Sequence, residues 1–396
     1  MLSQDKIKKF IALYLPQRAL DLIMKYRFPY NFYQNINYDP ATQNQKRILL
    51  SYITSPLEND TSKLTTHTNF TECLEIIKTF IDFGYCIDLV FCLDDKHTIF
   101  IEKKRYDVIF GFGEPFHCAA LKNPDAIKIV YLTELHPDFS LKNEMERTEY
   151  YYQRHNKRVN IKRSGKFIRN QDIAIGDYGI LMGNKFTSRI FSFPQGNLYT
   201  LEPTALINPE YICKKREYEK SRKNFVWFGS YGAIHKGLDI LIDVFNDLPE
   251  LNLYICGLNR EEKRILRTIK ENIHDMGFIN VKSQSYIDLM DSCSYVILPS
   301  CSEGMATSVL TCMNHGLIPI VTKECGIDLQ EWGVCLDDYH VDYIKEKVRS
   351  CALCDVDTLE KYHNEVFEYS RKKFNLQRYS QDFRQIIMDI LSKKRT

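Results

Sequence analysis

Two segments carry residues whose types and order suit them to hold an anion. In the first, Phe228-Gly229-Ser230-Tyr231-Gly232 closes an apolar run with two glycines in five residues, and His235-Lys236-Gly237 opens a helical pattern directly behind it. Glycine lets a backbone approach a ligand closely, and a helix N-terminus beside a lysine favours negative charge. A plain strand–turn–helix connection with Lys236 in water is the alternative. In the second, Ser294–Ser300 (SYVILPS) leads into Cys301-Ser302-Glu303-Gly304-Met305 and a helical stretch over 306–313. Glu303 then leaves the carboxyl end of a buried parallel strand, the edge where open α/β sheets bind ligands. The amides of Met305, Ala306, Thr307 and Ser308 begin a helix and suit a diphosphate, while the Glu303 carboxylate suits hydroxyl donors. The alternative for Glu303 is a helix cap.

Such residues need strands and helices to hold them. Apolar runs at 47–54 (RILLSYIT), 86–93 (CIDLVFCL), 108–110 (VIF) and 128–132 (KIVYL) read as buried strands, and Thr68-Asn69 starts a helix that Gly84 stops. The second half repeats the rhythm with strands at 224–230, 251–257, 294–300 and 318–322, a helix over 236–248 and a charged helix from Arg260. Strands alternating with helices imply parallel sheets covered on both faces. The polar stretch 201–221, with its run KKREYEKSRK, reads as the link between two α/β domains. Residues 6–26 form an amphipathic helical pattern with Phe10, Ile11 and Tyr14 on one face. Its basic balance allows peripheral contact with a membrane, and packing on its own domain is the alternative.

A chain of 396 residues suits two domains. Lys and Arg number 53 against 51 Asp and Glu, a balance that gives no sign of nucleic-acid binding. The 13 cysteines are scattered through apolar runs and read as core thiols of a reducing compartment. Cys351 and Cys354 lack the second pair that a zinc site needs. With no long apolar run and no leader pattern, the expected location is cytoplasmic.

Taken in order, Phe228-Gly229, Lys236-Gly237-Leu238-Asp239, Leu298-Pro299-Ser300-Cys301-Ser302-Glu303-Gly304 and Gly316-Leu317-Ile318-Pro319-Ile320-Val321 resemble the donor half of retaining, family-4-like glycosyltransferases (glycosyl transferases group 1). The resemblance covers about 224–335 and points to a divergent branch. It implies an α/β fold of the GT-B kind, two Rossmann-like domains facing across a cleft. Residues 1–205 would bind the acceptor, 206–375 the nucleotide sugar, and 376–396 would form a helix crossing back to the first domain. By the same resemblance Lys236 pairs with the donor diphosphate, flanked by Gly229, Ser230 and His235. Glu303 holds the sugar beside Ser302 and Gly304, the 305–308 amides complete the phosphate site, and Gly277-Phe278-Ile279 reads the base. Two positions depart from the family: Thr311 stands where a second Glu usually contacts the ribose, and Ser230 where an Arg usually contacts the diphosphate, leaving His235 as the stand-in. No cofactor is implied beyond the UDP- or GDP-sugar donor, and no metal. The lone Asp-x-Asp, Asp355-Val356-Asp357, reads as a helix start.

The acceptor side is less specific. Its candidates are His67, Glu114, the pair Glu134 and His136 behind the 128–132 strand, and Arg147. Arg147, Arg154, Arg158 and Arg163 fall in a basic stretch, 142–169, with nine Lys/Arg against three Glu. It reads either as a solvated helix face or as a seat for an anionic, lipid-linked or glycan acceptor. The expected activity is retaining sugar transfer to a hydroxyl in surface polysaccharide or glycan synthesis. An epimerase or hydrolase of the same fold, and an inactive sugar-binding scaffold, are the alternatives.

Overall fold

The structure is a computed structural model that describes residues 30–58, 67–194 and 196–393. The helix expected over 6–26, and its membrane-facing residues, lie outside these.

The first half builds a sheet of β1 (Phe32–Ile36), β2 (Arg47–Tyr52), β3 (Cys86–Phe91), β4 (Val108–Gly111), β5 (Ile127–Leu132), β6 (Tyr178–Met182) and β7 (Leu198–Leu201). Their order is β1-β3-β2-β4-β5-β6-β7, parallel except for β1, which runs antiparallel to β3. The second half builds an all-parallel sheet of β8 (Asn224–Phe228), β9 (Asn252–Cys256), β10 (Ile273–Gly277), β11 (Tyr295–Leu298), β12 (Ile318–Thr322) and β13 (Val334–Leu336), ordered β10-β9-β8-β11-β12-β13. Central strands are buried along their length, as at Ile48, Leu49 and Leu50 or Val296, Ile297 and Leu298, because helices cover both faces. Each sheet has its own core. The charged helix expected from Arg260 is a 3-10 helix, Arg260–Thr268, capped by the Asn259 side chain.

The link between the sheets is pinned at several points. The Thr204 amide and hydroxyl donate to Glu72 Oε1 at 2.8 and 2.9 Å, and the Ala205 amide donates to the Phe374 carbonyl at 2.9 Å. Farther on, the buried Arg216 guanidinium donates to the carbonyls of Met290 and His315. The last helix, Leu376–Lys393, lies on the first sheet: Tyr379, Phe383, Ile387 and Ile390 enter its core, and the Tyr131 and Tyr379 hydroxyls meet at 3.0 Å.

One helix crosses the other way. Pro137–His155 follows β5 of the first sheet, yet its partners lie largely in the second half. Ser140 Oγ meets Ser302 Oγ at 2.6 Å, and Asn143 donates to the Cys301 carbonyl at 2.9 Å. Arg147 stacks on the Tyr339 ring, the Tyr150 hydroxyl accepts from the Val341 amide at 3.0 Å, and Arg154 pairs with Asp239 and Asp243. The basic stretch is therefore not one solvated face or one acceptor surface. Arg147, expected on the acceptor side, is 3% exposed and joins the two halves.

Candidate functional site

In the second sheet the strand order reverses between β8 and β11, and the crevice at the carboxyl ends of two such strands is where open α/β sheets bind ligands. Lys236 comes from the turn after β8 and Glu303 from the turn after β11, and the two side chains form a buried ion pair. Ser300 Oγ donates to the same Glu303 oxygen at 2.9 Å. Burial pushes the Glu303 carboxyl up, but Lys236, Arg163 and His235 outweigh it and hold it down at about 2. Burial also pushes the Lys236 ammonium down, against the pull of Glu303.

His235 sits behind this pair, 2% exposed. Its Nε2 donates to the Ser302 carbonyl at 2.6 Å, and its Nδ1 lies 3.4 Å from Glu144 Oε2. Burial lowers its basicity, but Cys301, Glu144 and Glu303 together raise it to about 10.

The first half closes over these residues. Arg163 Nη2 stands 3.5 Å from Glu303 Oε2 and 3.8 Å from Glu134 Oε1. Gly304 fits so tightly that a β-carbon there would come 2.7 Å from the Thr133 carbonyl oxygen and 2.8 Å from that of Met182. The cavity between the halves, lined among others by Glu134, Arg163, His235, Ser302 and Glu303, is about 10 Å³, room for one water at most.

The remaining expected residues fall in several places. Gly229 follows β8, with Ser230 exposed beyond it. The amides of Gly232 and Ala233, in the same glycine-rich turn, are capped by the chain's own Glu262 carboxylate at 2.8 and 3.1 Å. Met305 and Ala306 are buried, and Thr307 and Ser308 half-buried, at the start of helix Thr307–Met313; the Ala306 amide is spent on the Cys325 carbonyl. Thr311 lies deeper. It is 2% exposed, donates to the Thr307 carbonyl and accepts from the Leu206 amide of the link. Phe278 is exposed just past β10, and Ile279 packs on the second core.

Of the acceptor-side candidates, Glu134 alone joins the cluster; burial, and Glu303 nearby, raise its carboxyl against the pull of Arg163. His136 caps the bridging helix, its Nδ1 accepting from the Asp138 amide at 3.3 Å, with its ring against Phe191. Glu114 pairs with Arg169, which holds its carboxyl low. His67 is exposed at the N-cap of helix Thr68–Asp82. Asp355 caps helix Val356–Lys373 by accepting from the Thr358 amide at 2.8 Å. Among the described residues no group of three or more His, Cys, Asp or Glu side chains is arranged to hold a metal ion, and no helix is long and apolar enough to cross a membrane. Sequence reasoning missed Glu144 and Glu262 and placed Arg163 only in a charge run. No local spacing marks them, since their partners lie far away along the chain.

This arrangement, paired Rossmann-like sheets with a charged pair at a switch point between them, defines a GT-B type of protein, and comparison with known proteins agrees. Residues 222–351 match the family model described as Glycosyl transferases group 1. The whole fold is similar to that of Anabaena HepE solved with UDP and glucose, at 11% identity and a TM-score of 0.56 over 87% of this chain and 100% of HepE. Sucrose-phosphate synthase from Thermosynechococcus elongatus gives 11% identity and 0.57 over 88% of this chain and 100% of that one. An S. aureus TarM variant solved with fondaparinux, alpha-GlcNAc-glycerol and UDP gives 13% and 0.51 over 72% of this chain, which spans 57% of TarM's length. No curated protein matches by sequence.

Proposed function

We propose that the chain moves a sugar from a nucleoside diphosphate sugar to a hydroxyl of a glycan or lipid-linked acceptor, with retention, in the assembly of surface polysaccharide or glycan. The observation that carries this reading is the buried Lys236–Glu303 pair at the switch point of a Glycosyl transferases group 1 domain. As the glycosidic bond to the donor breaks, negative charge gathers on the departing diphosphate. A desolvated ammonium fixed in place stabilises that charge without reorganising. Glu303 accepts from sugar hydroxyls once the entering donor displaces the ion pair. On this reading cationic side chains do the work of a divalent metal, so a chelator leaves turnover within about twofold. UDP-sugars are the first donors to try, since HepE was solved with UDP-glucose. Unpaired cysteines throughout the described core are in keeping with a site of action inside the cell.

The test is turnover of a panel of nucleotide sugars by the full chain and by two variants shown by circular dichroism to be folded at the assay temperature. Lys236→Ala should lower kcat/KM by roughly 10²–10³-fold, and Glu303→Gln should cripple transfer while sparing nucleoside diphosphate affinity. Near-normal turnover in both refutes the assignment. Donor binding without turnover in the parent chain favours a scaffold instead.

A further inference from the structure

We infer that Arg163, carried by the first half, is a second cation for the donor diphosphate, and that Glu144 is the positioning residue that aims it. The inference rests on the nucleotide-sugar reading above and names a group that reading does not use. Arg163 lies beside the glycine-rich turn: a β-carbon on Gly232 would sit 3.3 Å from its Cδ. Its guanidinium reaches the same carboxylate as Lys236, so a cation from each half converges on Glu303. The turn itself offers no cation at Ser230, which points into water.

Its loop is built for the purpose. The Glu144 carboxylate accepts from three successive amides, Lys162 at 3.0 Å, Arg163 at 3.2 Å and Ser164 at 2.8 Å, and from the Ser164 hydroxyl at 2.5 Å. Burial raises that carboxyl, yet His235, Ser164 and the Lys162 amide outweigh it and hold it at about 2. A wrapped, permanently charged carboxylate fixes the backbone of an otherwise irregular loop, and a planar guanidinium so fixed can grip a phosphate with two parallel hydrogen bonds. At rest Glu303 and Glu134 occupy it. A diphosphate entering between the halves takes over Arg163 and Lys236 together and draws the halves onto itself.

Calorimetric titration of the full chain with UDP, UMP, GDP and GMP tests this. Wild type should prefer the diphosphate of its base. Arg163→Gln should lose about 10- to 100-fold in diphosphate affinity, as expected for one charge-assisted contact, with monophosphate affinity nearly unchanged. Arg163→Lys should recover part of the loss, and it carries the test should the glutamine variant not fold. Glu144→Gln should show the same diphosphate-selective loss, whereas a general structural role would weaken both ligands alike. Equal losses for both ligands, or none in any variant, overturn the inference and leave the proposed function standing. A wild-type chain that binds no nucleoside diphosphate overturns both.

Discussion

Glu72 shows how much one buried side chain can say about pH. It is 1% exposed, accepts twice from Thr204, and lies near the ring hydroxyls of Tyr131 and Tyr379. Burial raises its carboxyl from 4.5 to about 7, against the pull of the Thr204 hydrogen bonds. A raised pKa means that the fold prefers the protonated form. That contribution to stability is whole below pH 4.5 and is lost as pH rises through 7. Glu72→Gln keeps an acceptor for Thr204 and removes the ionisation. Its melting temperature should therefore exceed that of wild type near pH 8, by up to about 3 kcal/mol of stability, and the gap should close at low pH. A gap that persists at about pH 4 counts against the ionisation as its cause. The sequence, which places Glu72 inside an amphipathic helix, reveals nothing of this. Lys236 and Glu303 were legible because each stands at the end of an apolar run. Arg163 was not, because its meaning comes from a carboxylate 140 residues further on.

Among the elements, the buried central strands were readable as unbroken apolar runs. β1, β6, β7, β10 and β13 were passed over: β1, β7, β10 and β13 flank their sheets, and the half-exposed Phe32–Ile36 and Ile273–Gly277 lack such a run. The Pro137–His155 helix was the element most easily misread, since its charge suggests water and its place in the sequence suggests the first half. Its hold on the second half is testable at Arg154. Arg154→Met strips Asp239, 2% exposed, and Asp243 of the guanidinium that pairs with both. Breaking one side of a buried pair costs about 3–5 kcal/mol, so calorimetry should show a melting temperature several degrees lower. Adding Asp239→Asn should restore much of it. Full additivity of the two changes would mean that the pair is not coupled.

At the scale of the molecule, the halves meet through contacts too close for a larger residue. Gly304→Ala places a methyl where two carbonyl oxygens stand. Small-angle scattering should show a larger radius of gyration for that variant, and misplacement by about an ångström should lower turnover by roughly 10²-fold. An unchanged radius with full turnover would show that the halves tolerate the methyl. Acid acts on the same boundary. Glu303 and Glu144 are held at about 2, so the stability they lend is present above their ordinary value of 4.5 and drains as pH falls towards 2. Two domains were legible from the alternation of strands and helices, and the return of the last helix from the resemblance, but the bridge made by Pro137–His155 was not. That fastening bears on any exchange of halves. A helix carried by the first half is seated on Asp239, Asp243, Tyr339 and Val341 of the second, so neither half is a free-standing cassette. A chimera that grafts a foreign first half onto this second half inherits a seat without its occupant.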